Sequence, residues 1–298
     1  MEALKFVCFG EVLWDVFPDH KKIGGAPLNV AVRLNSFGNN VSIISKVGQD
    51  DHGKKLLEFI KEKQLSTNYI QIDATLKTGK VEVTLDEKGS ASYDIMLPRA
   101  WDNIEIHDSI KKLVASSDAF IFGSLASRNE VSKNTLEELL KLARFKIFDV
   151  NLRTPYYTQE LLSRLMKEAN FIKFNEDELL EICEYYGSEY TSIEDNICYI
   201  SEQTNTDHIC VTLGGEGAIL YYNNNFFYNN GFRVKVKDTV GAGDSFLATL
   251  LNFLLKNKNP QDAINYACAV GALVTQFEGA NPKITLEDIE QFVHSFQN

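Results

Sequence analysis

The sequence predicts an α/β protein in which a doubly wound, mostly parallel sheet is flanked by helices and carries a small β lid. Short apolar runs recur along the chain, as expected for strands that are buried on both faces of a parallel sheet. Segments with helical periodicity separate several of these runs, which is typical of right-handed βαβ units. Because ligands of such sheets bind beyond the carboxyl ends of the strands, we expect the functional site there.

The elements follow from the chain in order. The first strand is predicted at Leu4–Gly10 (LKFVCFG), an apolar run that ends in glycine. Further strands of the same sheet are predicted at Val41–Ser45, Ala119–Phe122, Lys146–Val150, Phe171–Phe174 and His208–Leu213. Amphipathic helices are predicted at Val131–Ala143 and Gln159–Lys167. The stretch Ala242–Phe277 predicts two helices that are joined near Asn259–Pro260.

One hairpin interrupts the alternation of strands and helices. Thr78–Leu85 (TGKVEVTL) and Ser90–Ile95 (SASYDI) are strand patterns separated by DEKG, a hairpin turn signal. We expect one domain over residues 1–298, in which inserted segments at about 12–23 and 74–104 form the lid. An exposed apolar sheet face favours a covering partner, so a homodimer through the lid is also an expectation.

Composition narrows the classes of partner and compartment. The formal net charge of −11 disfavours nucleic acid, because an acidic surface repels the phosphate backbone. Apolar runs stay well below the length of roughly 18 residues that a membrane span needs. The five cysteines are scattered without a C-x-x-C pair, which predicts a reducing compartment. With no signal peptide in Met1–Gly10, we expect a cytoplasmic protein.

The segment Asp238–Phe246 (DTVGAGDSF) carries the strongest chemical signal. Gly241, Ala242 and Gly243 open a predicted helix, so their N–H groups are free to bind an anion at the positive end of the helix dipole. Asp244 follows in the first turn. A carboxylate beside an anion site is expected if it accepts the proton of an attacking hydroxyl during phosphoryl transfer. Taken alone, the motif also fits an ordinary first-turn aspartate.

This motif resembles the C-terminal signature of the ribokinase-like (PfkB) carbohydrate kinases. The N-terminal signature is present as Gly24–Gly38 (GGAPLNVAVRLNSFG), followed by Val47–Gly53 (VGQDDHG). The resemblance extends over essentially the whole chain. It implies the ribokinase-like fold and an ATP-dependent transfer of the γ-phosphoryl group to a primary hydroxyl of a sugar. It also implies Mg²⁺ as cofactor, with K⁺ as a further candidate.

The resemblance assigns residues to catalysis and sugar binding. It implies that Asp244 is the catalytic base. Charge on the transferred group would be stabilised by Gly241, Ala242, Gly243 and Arg153. Sugar contacts would come from Asp15, Gly24, Gly25, Asn29 and Trp101. Further aromatic candidates for the sugar site are Trp14, Phe17 and Tyr93, with buried packing as the alternative for each aromatic residue.

Three other segments are assigned to nucleotide and metal. Asn175 and Glu178 match the N-x-x-E motif that orders Mg²⁺ through water, although capping of a helix by Asn175 explains the same residues and both can hold. The ATP contacts implied are Thr212, Gly215 and Gly217 in a glycine-rich turn, and Asn281 in the segment that closes the adenine pocket. Asp238 is implied to contribute to a monovalent-cation site.

The segments GEVLWDVFP, GGAPLNVA and PRAW look most like those of fructokinases, so fructose is the predicted sugar. A related sugar acid such as 2-keto-3-deoxygluconate is the alternative, and its carboxylate would require a cation such as Arg33 or Arg99. A sensor that binds sugar or nucleotide without catalysis is an alternative of another class. The presence of Asp244 with Gly241 and Gly243 disfavours the sensor.

Overall fold

A computed structural model describes residues 3–85 and 91–296, with side chains described outside 83–93. The predicted DEKG turn and the side chain of Tyr93 therefore lie outside the described part of the chain. The strands are β1 (Lys5–Phe9), β2 (Leu13–Val16), β3 (Lys21–Gly24), β4 (Asn40–Gly48), β5 (Ile70–Asp73), β6 (Gly79–Leu85), β7 (Ala91–Ile95), β8 (Ala119–Gly123), β9 (Lys146–Asp149), β10 (Phe171–Asn175), β11 (His208–Thr212), β12 (Ala218–Tyr222) and β13 (Asn225–Asn229). The α-helices are α1 (Ala26–Ser36), α2 (Asp51–Glu62), α3 (Asp108–Ala115), α4 (Glu130–Leu140), α5 (Gln159–Glu168), α6 (Glu176–Tyr186), α7 (Ile193–Thr204), α8 (Ala242–Leu254), α9 (Pro260–Thr275) and α10 (Leu286–Ser295).

The main sheet has nine strands in the order β13-β12-β11-β10-β9-β8-β1-β4-β5. From β11 to β5 every neighbouring pair is parallel, whereas β12 and β13 add an antiparallel edge. The six strands predicted for this sheet are all present, as are the predicted helices α4, α5, α8 and α9. The predicted α/β class with a mostly parallel sheet is therefore confirmed.

The first strand shows why the buried runs are continuously apolar. Phe6 and Cys8 pack into the core on one face of the sheet, whereas Val7 and Phe9 pack into the core on the other face. Since successive side chains of a strand point to opposite faces, both sets must be apolar when helices cover both faces. This packing fixes β1 centrally and directs its carboxyl end, at Gly10, toward the site.

A second sheet of four strands has the order β3-β2-β6-β7. It is built from the segments before α1 and after β5, as the lid prediction requires, and β6 and β7 pair antiparallel as the predicted hairpin does. A small apolar cluster that includes Leu13, Val81, Ile95 and Trp101 holds this sheet together and contacts Leu125 of the main domain. None of the helices in the described ranges could span a membrane.

Candidate active site

A cavity of about 300 Å³ lies between the small sheet and the carboxyl ends of the main-sheet strands. This volume is at the lower end of the range for small-ligand pockets, about 300–1,000 Å³. The predicted residues that line it are Asp15, Gly25, Asn29, Arg153, Gly241, Gly243 and Asp244. The structure thus brings together residues from both signatures, which are separated by most of the chain.

The start of α8 forms one wall of this cavity. Gly241 occupies the N-cap position in the left-handed conformation (φ 75°), and no side chain caps the helix. A side chain at Gly241 would collide with Ala280, whereas a Cβ at Gly243 would meet only the Lys173 Nζ, at 3.6 Å. The Ala242 N–H donates to the Thr239 backbone oxygen at 3.3 Å, so the prediction of a free N–H group is corrected at Ala242. The N–H groups of Gly241 and Gly243 have no acceptor among the described residues and can bind an anion, and the space above Gly243 is open to a ligand.

Asp244 lies in the first turn of α8 and faces the cavity. Its pKa is raised to about 6, mainly by burial and also by the nearby charge of Asp149. The hydrogen bond from Asn29 and the charges of Lys173 and Arg153 act in the opposite direction. The Asn29 Nδ2 donates to Asp244 Oδ2 at 2.8 Å. At pH 7 and above the carboxylate is therefore largely ionised yet basic enough to accept a proton.

Asn281 stands behind Asn29 rather than on the cavity wall. Its Nδ2 donates to the Asn29 Oδ1 at 2.8 Å, so a chain of two side-chain amides leads to Asp244. The Asn281 Oδ1 is buried and has no hydrogen-bond partner in the described part of the structure. In this position Asn281 orients the amide that holds the candidate base, which the prediction of an ATP contact had not anticipated.

Lys173 is a cavity residue that the sequence reasoning missed. It lies in the middle of β10, and its Nζ donates to Asp149 Oδ1 at 3.1 Å. Burial lowers the pKa of this lysine, but the carboxylates of Asp149, Glu178 and Asp244 more than offset that effect and raise it, so the ammonium is charged. The signal was available as a lone lysine inside the apolar run FIKFN.

Two further carboxyl groups, those of Asp15 and Glu11, line the cavity. Burial raises the pKa of Asp15 to about 6, against the attraction of Arg153 and Lys22. Burial raises the pKa of Glu11 to about 7, and the Glu11 Oε2 is buried without a hydrogen-bond partner among the described residues. Glu11 was also missed, although a carboxyl directly after the buried strand and Gly10 could have indicated it.

At Gly24 and Gly25 a side chain would collide with other atoms of the protein. A Cβ at Gly24 would lie 2.6 Å from the Asp15 Oδ2, and Gly24 does not line the cavity. At Gly25, with φ at 110°, a Cβ would lie 2.5 Å from the backbone oxygen of Glu11. The predicted sugar contact of Gly24 is therefore corrected, because its missing side chain leaves room for Asp15, whereas Gly25 does line the cavity.

The aromatic candidates separate by strand alternation. Phe17 lines the cavity together with Leu13 and Asp15, whereas Trp14 points away and donates its Nε1 to the His52 backbone oxygen at 3.1 Å. Trp101 is fully buried and does not line the cavity. The prediction that Trp101 contacts the sugar is therefore corrected: its indole packs inside the small-sheet cluster, which leaves no face for a ligand.

Asn175 and Glu178 form a capping box at the start of α6. The Asn175 side chain accepts from the Glu178 N–H, and the Glu178 oxygens accept from the N–H groups of Leu152 and Asn175. Burial raises the pKa of Glu178, while Lys173 lowers it. Both carboxylate oxygens are thus held by backbone donors. The capping interpretation is confirmed.

The glycine-rich turn follows the next strand along the sheet. Thr212 pairs with Asn175 in the parallel register of β10 and β11, so the two assigned segments lie side by side. A Cβ at Gly215 would meet no atom within 4 Å, while one at Gly217 would collide with the backbone of Asn229 and Gly231. Gly215 therefore borders open space, and Gly217 lets the following hairpin close.

Asp238 precedes the anion site and already has partners. Its Oδ1 accepts from the Val240 N–H at 3.0 Å, and its Oδ2 accepts from the Gly279 N–H and from the Lys22 Nζ, each at 2.9 Å. Burial raises the pKa of Asp238, but these three donors outweigh it and the pKa is lowered. The ionised carboxylate therefore holds together two loops of the main domain and strand β3.

The comparisons with known proteins agree with this geometry. A family model described as pfkB family carbohydrate kinase matches residues 3–286. Probable fructokinase-7 of Arabidopsis thaliana is 28% identical, with 96% of this chain and 91% of that protein covered. The fructokinase of Xylella fastidiosa with bound ATP superposes with a TM-score of 0.88, at 21% identity and 99% coverage of both chains. The Vibrio cholerae fructokinase, in its fructose, ADP and calcium ion bound form, superposes with a TM-score of 0.83 at 25% identity, with 97% and 99% of the two chains covered. A chain that shares the family's pattern throughout and builds one cavity from both of its signatures is a member of the pfkB family of carbohydrate kinases.

Proposed function

We propose that the chain is an ATP-dependent fructokinase that transfers the γ-phosphoryl group of ATP to a primary hydroxyl of fructose. The observation that carries this proposal is the position of Asp244. It shares one cavity with the uncapped start of α8, so a proton acceptor lies beside an anion site. Phosphoryl transfer to a hydroxyl needs both groups at once.

In the proposed reaction Asp244 accepts the proton of the attacking sugar hydroxyl. Asn29 holds the carboxylate in position through its hydrogen bond to Oδ2. Negative charge on the transferred phosphoryl group is stabilised by the N–H groups of Gly241 and Gly243 and by the cations of Lys173 and Arg153. Because the N–H groups and Lys173 are held in place by the fold before the reaction, they stabilise the transition state without reorganisation.

We propose that Mg²⁺ enters this site bound to the phosphates of the nucleotide. The residues described in the structure contain no group of three or more acidic, histidine or cysteine side chains that could hold a metal ion by themselves. Glu178 has both oxygens on backbone donors, so we propose that Glu178 and Asn175 order the ion through water. When bound, Mg²⁺ would screen the charge of the phosphates.

The nucleotide is proposed to lie along the ends of β10 and β11. Thr212 would contact it there, and the open turn at Gly215 and Gly217 would pass close to it. The bound ATP and ADP of the Xylella and Vibrio fructokinases support a nucleotide as second substrate. The triphosphate would then point toward the start of α8.

Two carboxyl groups on the proposed sugar side favour a substrate that is rich in hydroxyl groups. Glu11 and Asp15 line that part of the cavity and would accept hydrogen bonds from hydroxyl groups. Arg33 donates to Ser245 and to the Pro282 backbone oxygen, and Arg99 does not line the cavity either. Neither of the two cations considered for a sugar acid therefore lines the cavity, which favours fructose over 2-keto-3-deoxygluconate.

The cellular setting is proposed on the same footing. All five cysteines are free thiols, which suits a reducing compartment, and we propose the cytoplasm. Sugar and ATP are the proposed small-molecule partners. A homodimer through the small sheet stays a prediction, because side chains of β6 and β7 fall partly in the undescribed range 83–93.

The test is ADP release with MgATP against fructose, ribose, mannose, glucose, 2-keto-3-deoxygluconate and adenosine. Fructose should give the highest kcat/KM. Asp244→Ala should lower it by about 10²–10⁴-fold, the usual contribution of a general base. Asp262→Ala is the matched control, since Asp262 is an exposed first-turn aspartate of the neighbouring helix α9. Turnover with another sugar would keep the mechanism and replace fructose. A folded protein that binds ATP without turnover would favour the non-catalytic sensor.

A further inference from the structure

Lys22 joins the small sheet to the loop before the anion site. It lies on β3, opposite Asp15 in the antiparallel pair with β2. Its Nζ donates to the Asp238 Oδ2 at 2.9 Å, and the two side chains are 27% and 16% exposed. Among the ion pairs found in the described ranges, this pair alone connects the four-stranded sheet to the Asp238–Gly241 loop.

The Asp238 carboxylate determines where that loop lies. Its Oδ1 binds the Val240 N–H within the loop, and its Oδ2 binds the Gly279 N–H of the following turn. The Asp238 backbone is itself anchored, because its N–H donates to the Thr275 oxygen at 3.1 Å. Val240 and Gly241 then line the cavity. A shift of Asp238 would therefore displace the N–H groups that bind the phosphoryl group.

A monovalent cation does not fit on this carboxylate as the structure stands. Such an ion would bind a carboxylate oxygen, but both acceptor positions of the Asp238 Oδ2 are taken, one by the Gly279 N–H and one by the Lys22 ammonium. A bare cation at Oδ2 would have to displace Lys22. The ammonium is a compact charge with three donors, so it can neutralise the carboxylate in place of an ion.

The surroundings of Lys22 favour a fixed ammonium. Its Nζ lies 5.4 Å from the centre of the Phe17 ring, within range of a cation–π contact. It also lowers the pKa of Asp15 across the strand pair. The ammonium thus has an aromatic face and two carboxylates around it, at the edge of the cavity. Lys21, the preceding residue on the same strand, is exposed and contacts His52 instead.

We propose that Lys22 is a positioning residue that supplies a built-in cation to Asp238, holds the anion-binding loop in place and makes the kinase independent of potassium. This inference rests on the proposed function. It departs from the expectation that Asp238 takes part in a monovalent-cation site. The lysine is carried by the small sheet, so the same contact fastens that sheet over the sugar.

The experiment compares wild type, Lys22→Met, Lys22→Arg and the control Lys21→Met in KCl, NaCl or choline chloride at one ionic strength. Wild type and Lys21→Met should keep the same kcat in all three salts. Lys22→Met should lose about 10–100-fold in kcat in choline chloride, as expected for misplaced donors, and recover several-fold in KCl. Lys22→Arg keeps the charge and should retain most of the activity without potassium.

Thermal unfolding provides a readout that does not need turnover. The unfolding temperature of Lys22→Met should rise by about 2 °C or more in KCl over choline chloride, because the vacated site binds the ion, while that of wild type should not. Strong activation or stabilisation of wild type by potassium would overturn the proposal, as would full activity of Lys22→Met in choline chloride. If no sugar is turned over, the proposed function fails, and the melting comparison still decides the role of Lys22.

Discussion

Among the buried ion pairs in the described part of the structure, Arg128–Asp102 and Lys173–Asp149 differ in how their hydrogen bonds are used. Arg128 and Asp102 are each 1% exposed, and two N–H groups of the guanidinium bind the carboxylate at 2.7 and 2.9 Å. Arg128 also donates to the backbone oxygens of Ile95 and Met96. Its guanidinium lies 4.0 Å from the centre of the Trp101 ring. The guanidinium and the carboxylate are therefore surrounded by other parts of the protein.

The Lys173–Asp149 pair is buried to a similar extent but is sparsely bonded. Its side chains are 9% and 6% exposed, and a single hydrogen bond of 3.1 Å joins them. Lys173 lines the cavity, and its Nζ would lie 3.6 Å from a Cβ added to Gly243. A buried cation with remaining donors at a cavity is suited to bind a ligand, whereas one with its donors bound to protein is suited to hold segments together.

The largest effect is expected for Lys173→Met. It should lower kcat/KM by about 10²–10³-fold, the usual cost of removing one donor to a developing negative charge. Since Lys173 also lowers the pKa of Asp244, the acidic limb of the pH profile should move to higher pH. Steady-state kinetics from pH 5 to 9 measure both. An active variant with an unmoved limb would show that Lys173 is only structural.

Arg128→Met should affect stability instead of chemistry. Removing one partner of a fully buried pair leaves Asp102 uncompensated and should cost about 3 kcal/mol of unfolding free energy. Urea unfolding measures the loss. The control is Arg164→Met, which breaks an exposed pair with Glu137 and should cost less than about 1 kcal/mol. If Arg128→Met lowered kcat strongly while the unfolding free energy stayed near that of wild type, the distinction between the two pairs would be wrong.

Features that depend on neighbouring residues in the chain could be predicted from the sequence. The run from Gly241 to Asp244 is contiguous, so its helix start and its carboxylate were predictable from local chemistry. The continuous apolar strands were equally clear, because burial on two faces leaves a local pattern. The fold class and the segment Gly241–Asp244 could therefore be predicted from the sequence.

The missed residues depend on tertiary packing. Lys173, Glu11 and Lys22 gain their roles from burial or from partners far along the chain, and Lys22 meets a carboxylate 216 residues away. The resemblance assigned Trp101 to the sugar with buried packing as the alternative, and the structure shows the alternative, because Trp101 is fully buried. Side-chain direction on short strands and turns is set by the whole fold, which no local motif records.

Two glycines of the anion site sharpen the comparison further. Gly243→Ala should leave the fold intact, because its Cβ would lie 3.6 Å from the Lys173 Nζ, but it should lower kcat/KM by about 100-fold by displacing the phosphoryl group. Gly241→Ala should destabilise the protein by about 1–3 kcal/mol, since it combines a positive φ with a collision against Ala280. Kinetics and thermal unfolding of both variants separate the effects. Equal loss of stability in the two would contradict the assignment.

The smallest expected effect concerns pH and the carboxyl groups of the cavity. The pKa of Glu11 is raised from 4.5 to about 7 in the folded protein. Between these values the folded state binds more protons than the unfolded state, so the contribution of Glu11 to stability is complete below about pH 4.5 and is lost as the pH rises toward 7. Asp15 and Asp244, each with a pKa of about 6, act in the same direction.

The unfolding temperature of the ligand-free protein should therefore fall between pH 5.5 and pH 8, and Glu11→Gln should reduce that fall while weakening sugar binding. Its control is Glu160→Gln, an exposed glutamate in the first turn of α5, which should leave the pH dependence unchanged. If Glu11→Gln melts with the pH dependence of wild type, the cavity carboxyl is not the cause. If the dependence flattens, the protein retains at its sugar site an ionised group that costs stability, because the site needs acceptors for hydroxyl groups.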